Sequence, residues 1–111
     1  HGSPCLGMRL EEKGKVFSYS GDTEWCDGVL QISQNADVFL CECSLFNNQK
    51  GQLKGHLSAG EAGKLAANSN VKKLVLTHLP QYGDINELVR EAKEEFSGEV
   101  IKAKTGMVLE L

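Results

Sequence analysis

The stretch VFSYSGDT, residues 16–23, is an apolar segment that ends in a glycine followed by a carboxylate. Its first residues favour a β-strand, and Ser-Gly-Asp-Thr is typical of a turn. Comparable strand ends recur twice, because Glu42 lies within VFLCE and His78 follows LVLT. Ligands of open α/β sheets bind beyond the carboxyl ends of the strands. The three strand ends therefore predict one site that contains Asp22, Glu42 and His78.

The order of elements around this stretch predicts an α/β fold in a single domain. Ser58 and Glu61 have the spacing of a capping box, and Asp84 is a candidate cap for the last helix. The predicted elements, in chain order, are a hairpin over residues 4–20, a short helix over 27–35, a strand within 36–46, a helix over 58–69, a strand over 71–78, a helix over 84–96 and two short strands over 99–111.

The composition is that of an ordinary globular domain, with 41% hydrophobic and 24% charged residues among 111. The net charge of -3 argues against binding nucleic acid by bulk electrostatics, although a metal could still hold an anionic substrate locally. No apolar run reaches membrane-spanning length, and there is no secretory signal pattern. We expect a cytoplasmic protein whose cysteines are reduced and mostly buried. These cysteines are Cys5, Cys26, Cys41 and Cys43.

Each candidate site residue also has a purely structural interpretation. Asp22 could be an ordinary turn residue, and Glu42 could be a surface glutamate at a strand end. His78 could be a hydrogen-bonded histidine at the edge of the core. His56 could simply belong to a loop, and His1 could be a disordered terminal residue. The functional interpretation depends on the residues as a set, since carboxylate oxygen and imidazole nitrogen are the ligands of hydrolytic zinc and manganese sites.

Several segments together resemble the metallo-β-lactamase superfamily, and most closely its ribonuclease Z-like branch of small bacterial metallohydrolases. The resemblance covers the whole chain, and it rests on the order and spacing of HGSPCLGMRL, YSGDT, FLCECSLF, GHLSAGEAG and KKLVLTHLP. It implies that residues 1–111 form the C-terminal half of a metallo-β-lactamase-type αββα sandwich. In this sandwich the strand-helix-strand-helix-strand order ends in a terminal hairpin.

The resemblance also implies roles for individual residues. His1 resembles a histidine that ligates one metal ion, Asp22 the carboxylate that bridges two ions, and His78 the last ligand of the second ion. Glu42 and His56 resemble a pair in which the acidic residue orients a histidine, and this histidine contacts the scissile phosphate or protonates the leaving oxygen. The implied cofactors are two divalent metal ions, with Zn preferred and Mn as the alternative, which activate a water molecule.

Two departures from the family pattern affect this interpretation. The family's H-x-H-x-D-H run is absent, because the three histidines are His1, His56 and His78. We therefore expect that the N-terminal half of the domain is absent from this chain and that the fragment alone is inactive. The second departure is the short link LEEKGK, residues 10–15, where tRNA-processing ribonuclease Z carries a long basic arm. This short link makes tRNA a less favoured substrate.

The resulting hypothesis is a metal-dependent hydrolase that acts on phosphodiester or related ester bonds of a small molecule or nucleotide. One alternative is a degenerate, metal-free α/β module with a binding role. Another is a lactonase- or thioesterase-like hydrolase, because the fold alone does not select the bond. A homodimer is compatible with the resemblance, but no residue in the sequence identifies a contact surface.

Overall fold

A computed structural model describes residues 7–21, 23, 25–49, 56–80, 83–104 and 106–107. The elements confirm the predicted α/β class, although the second strand of the expected terminal hairpin falls mainly on residues outside these ranges. A 3₁₀ turn spans Asn47–Gln49. The strands and helices are β1 (Met8–Glu12), β2 (Lys15–Tyr19), α1 (Asp27–Ser33), β3 (Val38–Glu42), α2 (Ala59–Asn68), β4 (Lys73–Thr77), α3 (Ile85–Lys93) and β5 (Glu99–Lys102).

The five strands form one sheet in the order β1-β2-β3-β4-β5. β1 pairs with β2 in antiparallel fashion through a two-residue turn at Lys13 and Gly14, and both turn residues have positive φ. β2, β3, β4 and β5 are parallel neighbours. Parallel neighbours joined by right-handed crossovers in a single direction place all three connecting helices on one face of the sheet.

The face of the sheet beneath the helices carries the hydrophobic core. Phe39, Leu74 and Val100 lie side by side on β3, β4 and β5. They pack in one cluster with Leu65 of α2 and Leu88 of α3. Phe39, Leu65, Leu74 and Leu88 are fully buried. Burying a side chain of this size stabilises the fold by about 1.5–3 kcal/mol, so this layer fixes the positions of the strand ends.

The opposite face of the sheet carries a second apolar row that does not belong to this cluster. The strand register aligns the row across all five strands. Met8 is 45% exposed at one end. Tyr19, Leu40 and Ile101 are half-buried, and Val75 is buried. Partly exposed apolar rows of this length typically mark a surface that another layer covers.

The two predicted helix caps are confirmed. Ser58 Oγ accepts a hydrogen bond from the Glu61 amide at 3.2 Å, and the Glu61 carboxylate accepts one from the Ser58 amide at 3.0 Å. Asp84 Oδ1 accepts from the Asn86 amide at 3.0 Å. These bonds use amides that a helix N-terminus otherwise leaves without partners, so the cap residues set where α2 and α3 begin.

The cysteine expectation is confirmed in part. Cys41 and Cys43 are free thiols and are buried. Cys26 is disulfide-bonded, so the expectation of reduced cysteines is wrong at this position. Within the described ranges, none of the helices combines the length and the hydropathy that crossing a lipid bilayer requires.

Candidate functional site

Three of the five candidate site residues lie together at one end of the sheet. Glu42 is the last residue of β3, and it pairs in register with Thr77, which precedes His78 at the end of β4. His56 lies just before the cap of α2. The rings of His56 and His78 meet edge to face with centroids 5.6 Å apart. The predicted convergence of strand ends thus holds for Glu42 and His78, and His56 joins them from the loop before α2, as expected.

The other two candidates, His1 and Asp22, lie outside the described residues. The segment that leads to Asp22 nevertheless approaches β3 closely. Ser20 Oγ accepts a hydrogen bond from the Glu42 amide at 2.8 Å and donates to the Gly21 carbonyl at 2.7 Å. The end of β2 is therefore tied directly to Glu42.

The Glu42 carboxylate is buried and fully hydrogen-bonded, with 1% of the side chain exposed. Its Oε1 lies 2.6 Å from His56 Nδ1. Its Oε2 accepts from the Ser44 amide at 2.9 Å, from Ser44 Oγ at 2.7 Å and from the Leu57 amide at 3.3 Å. A buried carboxylate requires such partners. Donors thus face both carboxylate oxygens, and the interpretation of Glu42 as a surface glutamate is wrong.

His56 is held by this carboxylate at one nitrogen, while its side chain keeps 27% of its surface exposed. A carboxylate only accepts hydrogen bonds, so Nδ1 carries a hydrogen. The remaining nitrogen, Nε2, is then the atom that can exchange a proton or contact an anionic group. A histidine oriented by a carboxylate in this way is the arrangement that general acid–base catalysis uses.

His78 occupies an unusual backbone conformation for a side chain other than glycine, with φ of 55°. Its carbonyl oxygen lies 3.2 Å from Ser44 Oγ, and the Cys43 amide donates to the carbonyl of Thr77 at 2.8 Å. Non-glycine residues in this region are uncommon and cluster at functional sites. β3 and the residues just after it therefore hold the segment that presents the His78 ring.

The two thiols that flank Glu42 are chemically inert. Burial raises the pKa of Cys41, and it raises the pKa of Cys43 to about 12, with the charge of Glu42 as the next cause at Cys43. A buried thiol that stays protonated is a poor nucleophile. Cys41 and Cys43 therefore act as small apolar side chains that keep water away from the strand end.

The described residues do not by themselves complete a metal site. Among them, no group of three histidine, cysteine, aspartate or glutamate side chains is placed to hold an ion. His78 is exposed and lies at the same edge of the sheet as Glu42, whereas His1 and Asp22 fall outside the described ranges.

Sequence reasoning did not identify Ser44, Ser20 or the Leu57 amide as part of this site. Leu57 is 15 residues from Glu42 in the chain, and Ser20 is 22 residues away. These contacts depend on the pairing of distant segments, which local spacing does not encode. A serine two residues after a strand-end glutamate was the one available signal for Ser44.

Comparisons with known proteins agree with this geometry. Residues 1–79 match the family model described as a beta-lactamase superfamily domain. The probable metallo-hydrolase YhfI of Bacillus subtilis is 36% identical over 110 residues, which span 99% of this chain and 45% of that protein. A ribonuclease Z of Salinispora arenicola is 33% identical over 99 residues, which span 86% of this chain and 32% of that protein.

Solved structures lead to the same family. The crystal structure of the metallo-beta-lactamase fold protein YhfI superposes with a TM-score of 0.89 at 37% identity over 96% of this chain and 44% of that chain. The short form of human tRNase Z superposes with a TM-score of 0.72 at 26% identity over 94% of this chain and 37% of that chain. The chain thus spans less than half the length of these relatives. It belongs to the beta-lactamase superfamily domain family, with metallo-β-lactamase-fold and ribonuclease Z relatives.

Proposed function

We propose that the full-length protein is a metal-dependent hydrolase of phosphodiester or related ester bonds in a small molecule or nucleotide. The observation that carries the proposal is the buried Glu42 carboxylate, 2.6 Å from His56 Nδ1, at the strand end beside His78. Members of this family generally bind divalent metal ions, and two such ions, Zn or Mn, would activate the attacking water. We assign metal binding to His1, Asp22 and His78.

In this proposal the His56 ring acts with a hydrogen on both nitrogens, so that Nε2 gives its proton to the departing oxygen. Glu42 accepts from Nδ1 throughout and keeps the ring in the required orientation. A proton on the leaving oxygen matters most when the leaving group is a poor one, such as an alkyl alcohol. Nitrophenolate leaves readily without protonation. The role of His56 therefore predicts a rate defect that depends on the leaving group.

The substrate proposal is supported by the hairpin between β1 and β2. Lys13 and Gly14 close it in two residues, and Glu12 pairs directly with Lys15. No basic arm for gripping tRNA extends from this turn. A small phosphodiester is therefore the favoured substrate class over tRNA.

The leaving-group experiment compares His56→Ala with the unaltered full-length protein on two phosphodiesters. We expect kcat/KM to fall by about 10²–10⁴-fold on a dinucleoside phosphate and by less than about tenfold on bis-p-nitrophenyl phosphate. Lys64→Ala, at an exposed position of α2, is the control and should retain both rates. Equal losses on both substrates would remove the general-acid role.

The metal assignment is tested with Asp22→Ala. We expect fewer bound metal ions per protein, measured by mass spectrometry of the metal, together with loss of hydrolysis of bis-p-nitrophenyl phosphate. Asp27→Ala is the matched control, because Asp27 is an exposed residue in the first turn of α1. Unchanged stoichiometry and rate in Asp22→Ala would remove the assignment of Asp22 as a metal ligand. A full-length protein that binds no metal and hydrolyses neither phosphodiester would instead favour a metal-free binding module.

We also propose that residues 1–111 are the C-terminal half of a two-sheet domain. The apolar row from Met8 to Ile101, on the sheet face away from the helices, supports a second covering layer. Residues 1–111 expressed alone should then bind a hydrophobic dye and lack hydrolytic activity, while the full-length protein binds little dye. Equal dye binding by both would contradict the two-sheet proposal.

A further inference from the structure

We propose that Ser44 is a positioning residue, whose hydroxyl group fixes the Glu42 carboxylate so that Glu42 can orient His56. This inference rests on the proposed function, in which His56 protonates the leaving group. Ser44 Oγ lies 2.7 Å from Glu42 Oε2, the shortest donor–acceptor distance among the three hydrogen bonds to that oxygen. The two others are backbone amides, at 2.9 Å and 3.3 Å.

The backbone donors alone hold the carboxylate less firmly than these three bonds do together. The Ser44 amide also lies 3.2 Å from the Leu57 carbonyl, so its hydrogen is shared between two acceptors. The Leu57 amide is at the long end of hydrogen-bond distances. The terminal torsion of a glutamate side chain is broad, so a carboxylate without a strong donor rotates more freely. The hydroxyl of Ser44 is therefore the contact that most restricts this torsion.

Ser44 also lies between the Glu42–His56 pair and the backbone of His78. Its Oγ is 3.2 Å from the His78 carbonyl oxygen and carries a single hydrogen, so it donates to one acceptor at a time. The carboxylate is closer and charged, and bonds to charged acceptors are roughly twice as strong as neutral ones. The hydroxyl group therefore donates its hydrogen to the Glu42 carboxylate. Its position beside the His78 carbonyl also fixes the distance between Glu42 and the His78 backbone.

Loss of the Ser44 hydroxyl should cause the same kind of rate defect as His56→Ala, but a smaller one. In Ser44→Ala both backbone amides remain, and the third donor to Oε2 is lost. We expect kcat on a dinucleoside phosphate to fall by about tenfold, as is common when a residue that orients a catalytic group is removed. KM and the rate on bis-p-nitrophenyl phosphate should remain within about twofold, because nitrophenolate needs no proton. Ser44→Thr keeps a hydroxyl and should restore most of the loss.

Ser69→Ala is the matched structural control in the full-length protein. It removes a buried serine hydroxyl that bonds Ser33 Oγ at 2.7 Å, far in the chain from Glu42. Stability losses measured by urea unfolding can be compared between Ser44→Ala and Ser69→Ala. Only Ser44→Ala should show a rate defect that depends on the leaving group.

The outcomes separate this inference from the function on which it rests. If His56→Ala shows the leaving-group dependence and Ser44→Ala does not, the Ser44 inference is overturned and the proposed function stands. If His56→Ala shows no such dependence, the general-acid role of His56 and the Ser44 inference are both overturned, while the metal-dependent hydrolase is still decided by Asp22→Ala. If Ser44→Ala and Ser44→Thr lose the same activity, the hydroxyl is not the group that matters, and the positioning role is refuted.

Discussion

Glu42→Gln tests whether the buried carboxylate determines which nitrogen of His56 carries the hydrogen. In the native protein Oε1 accepts from His56 Nδ1, and the donors from Ser44 and Leu57 converge on Oε2. A glutamine of the same shape must turn its carbonyl oxygen toward these donors. Its amide nitrogen then faces Nδ1 and donates to it. The hydrogen of the neutral His56 ring must therefore move to Nε2.

The free-energy change of this substitution is small because two terms oppose each other. Three bonds to a charged acceptor become bonds to a neutral one, and each loses roughly 1 kcal/mol, for a total near 3 kcal/mol. The glutamine, however, avoids the cost of burying a charge, which is several kcal/mol for a side chain that is 1% exposed. We expect the free energy of unfolding to change by less than about 2 kcal/mol.

Nitrogen-15 NMR of the imidazole reports the tautomer, and urea unfolding reports the stability. Glu61→Gln is the matched control, since that carboxylate also accepts a backbone bond but caps α2. Glu61→Gln should leave the tautomer of His56 unchanged. The reasoning is refuted if His56 keeps its hydrogen on Nδ1 in Glu42→Gln. Because an amide that donates to Nδ1 prevents the ring from carrying a hydrogen on both nitrogens, Nε2 could give a proton only from the neutral ring, which is a far weaker acid. A catalytic loss of about 10²–10⁴-fold on a dinucleoside phosphate should therefore accompany the change of tautomer.

Three further outcomes follow from the described contacts. Ser58→Ala removes the side-chain acceptor of the capping box, so the free energy of unfolding should fall by about 1 kcal/mol in urea, and an unchanged midpoint would contradict the cap. The hydrogen bond from the Val16 amide, followed by Lys72, lowers the pKa of Asp37 in the folded protein below 3.8. The Asp37 carboxylate therefore stabilises the folded state above pH 3.8. This contribution is lost as the pH falls through the lowered pKa of the folded state. Asp37→Asn should therefore be less stable than the native protein at about pH 7, and the difference should shrink in urea unfolding at about pH 3; a gap that is constant with pH would be inconsistent with this account. Burial and a pKa of about 12 should protect Cys43 from thiol reagents until urea unfolds the protein, and labelling of native Cys43, located by peptide mass spectrometry, would show that the strand end is open to water.

The parts of the fold that the sequence predicted are those governed by local rules. The capping box of Ser58 and Glu61 depends on a spacing of three residues, and the structure contains both of its hydrogen bonds. Asp84 caps α3 for the same reason. The convergence of Glu42 and His78 also followed, because adjacent parallel strands bring their carboxyl ends to one edge.

The interior of the site could not be predicted in the same way. The orientation of His56 depends on an acceptor 14 residues away, and the bonds that hold this acceptor come from β3 and from the loop before α2. Such bonds form only once the hydrophobic layer has aligned these segments, so no short motif reports them. The expectation that Cys26 is reduced was wrong for a related reason, because pairing of cysteines depends on distance in the fold rather than on composition.

The backbone at His78 gives a way to separate a structural role from a functional one. Asn35 and Asn70 adopt φ of 57°, close to the 55° of His78, and asparagine is common in this region. An asparagine therefore suits the backbone at position 78 equally well. We expect His78→Asn to change the free energy of unfolding of the chelator-treated protein by less than about 0.5 kcal/mol, and we expect the same small change for the reciprocal Asn70→His. Bound metal per protein should fall in His78→Asn alone. A loss of more than about 2 kcal/mol in His78→Asn would mean that the ring is held for packing, and the assignment of His78 as a metal ligand would lose its support.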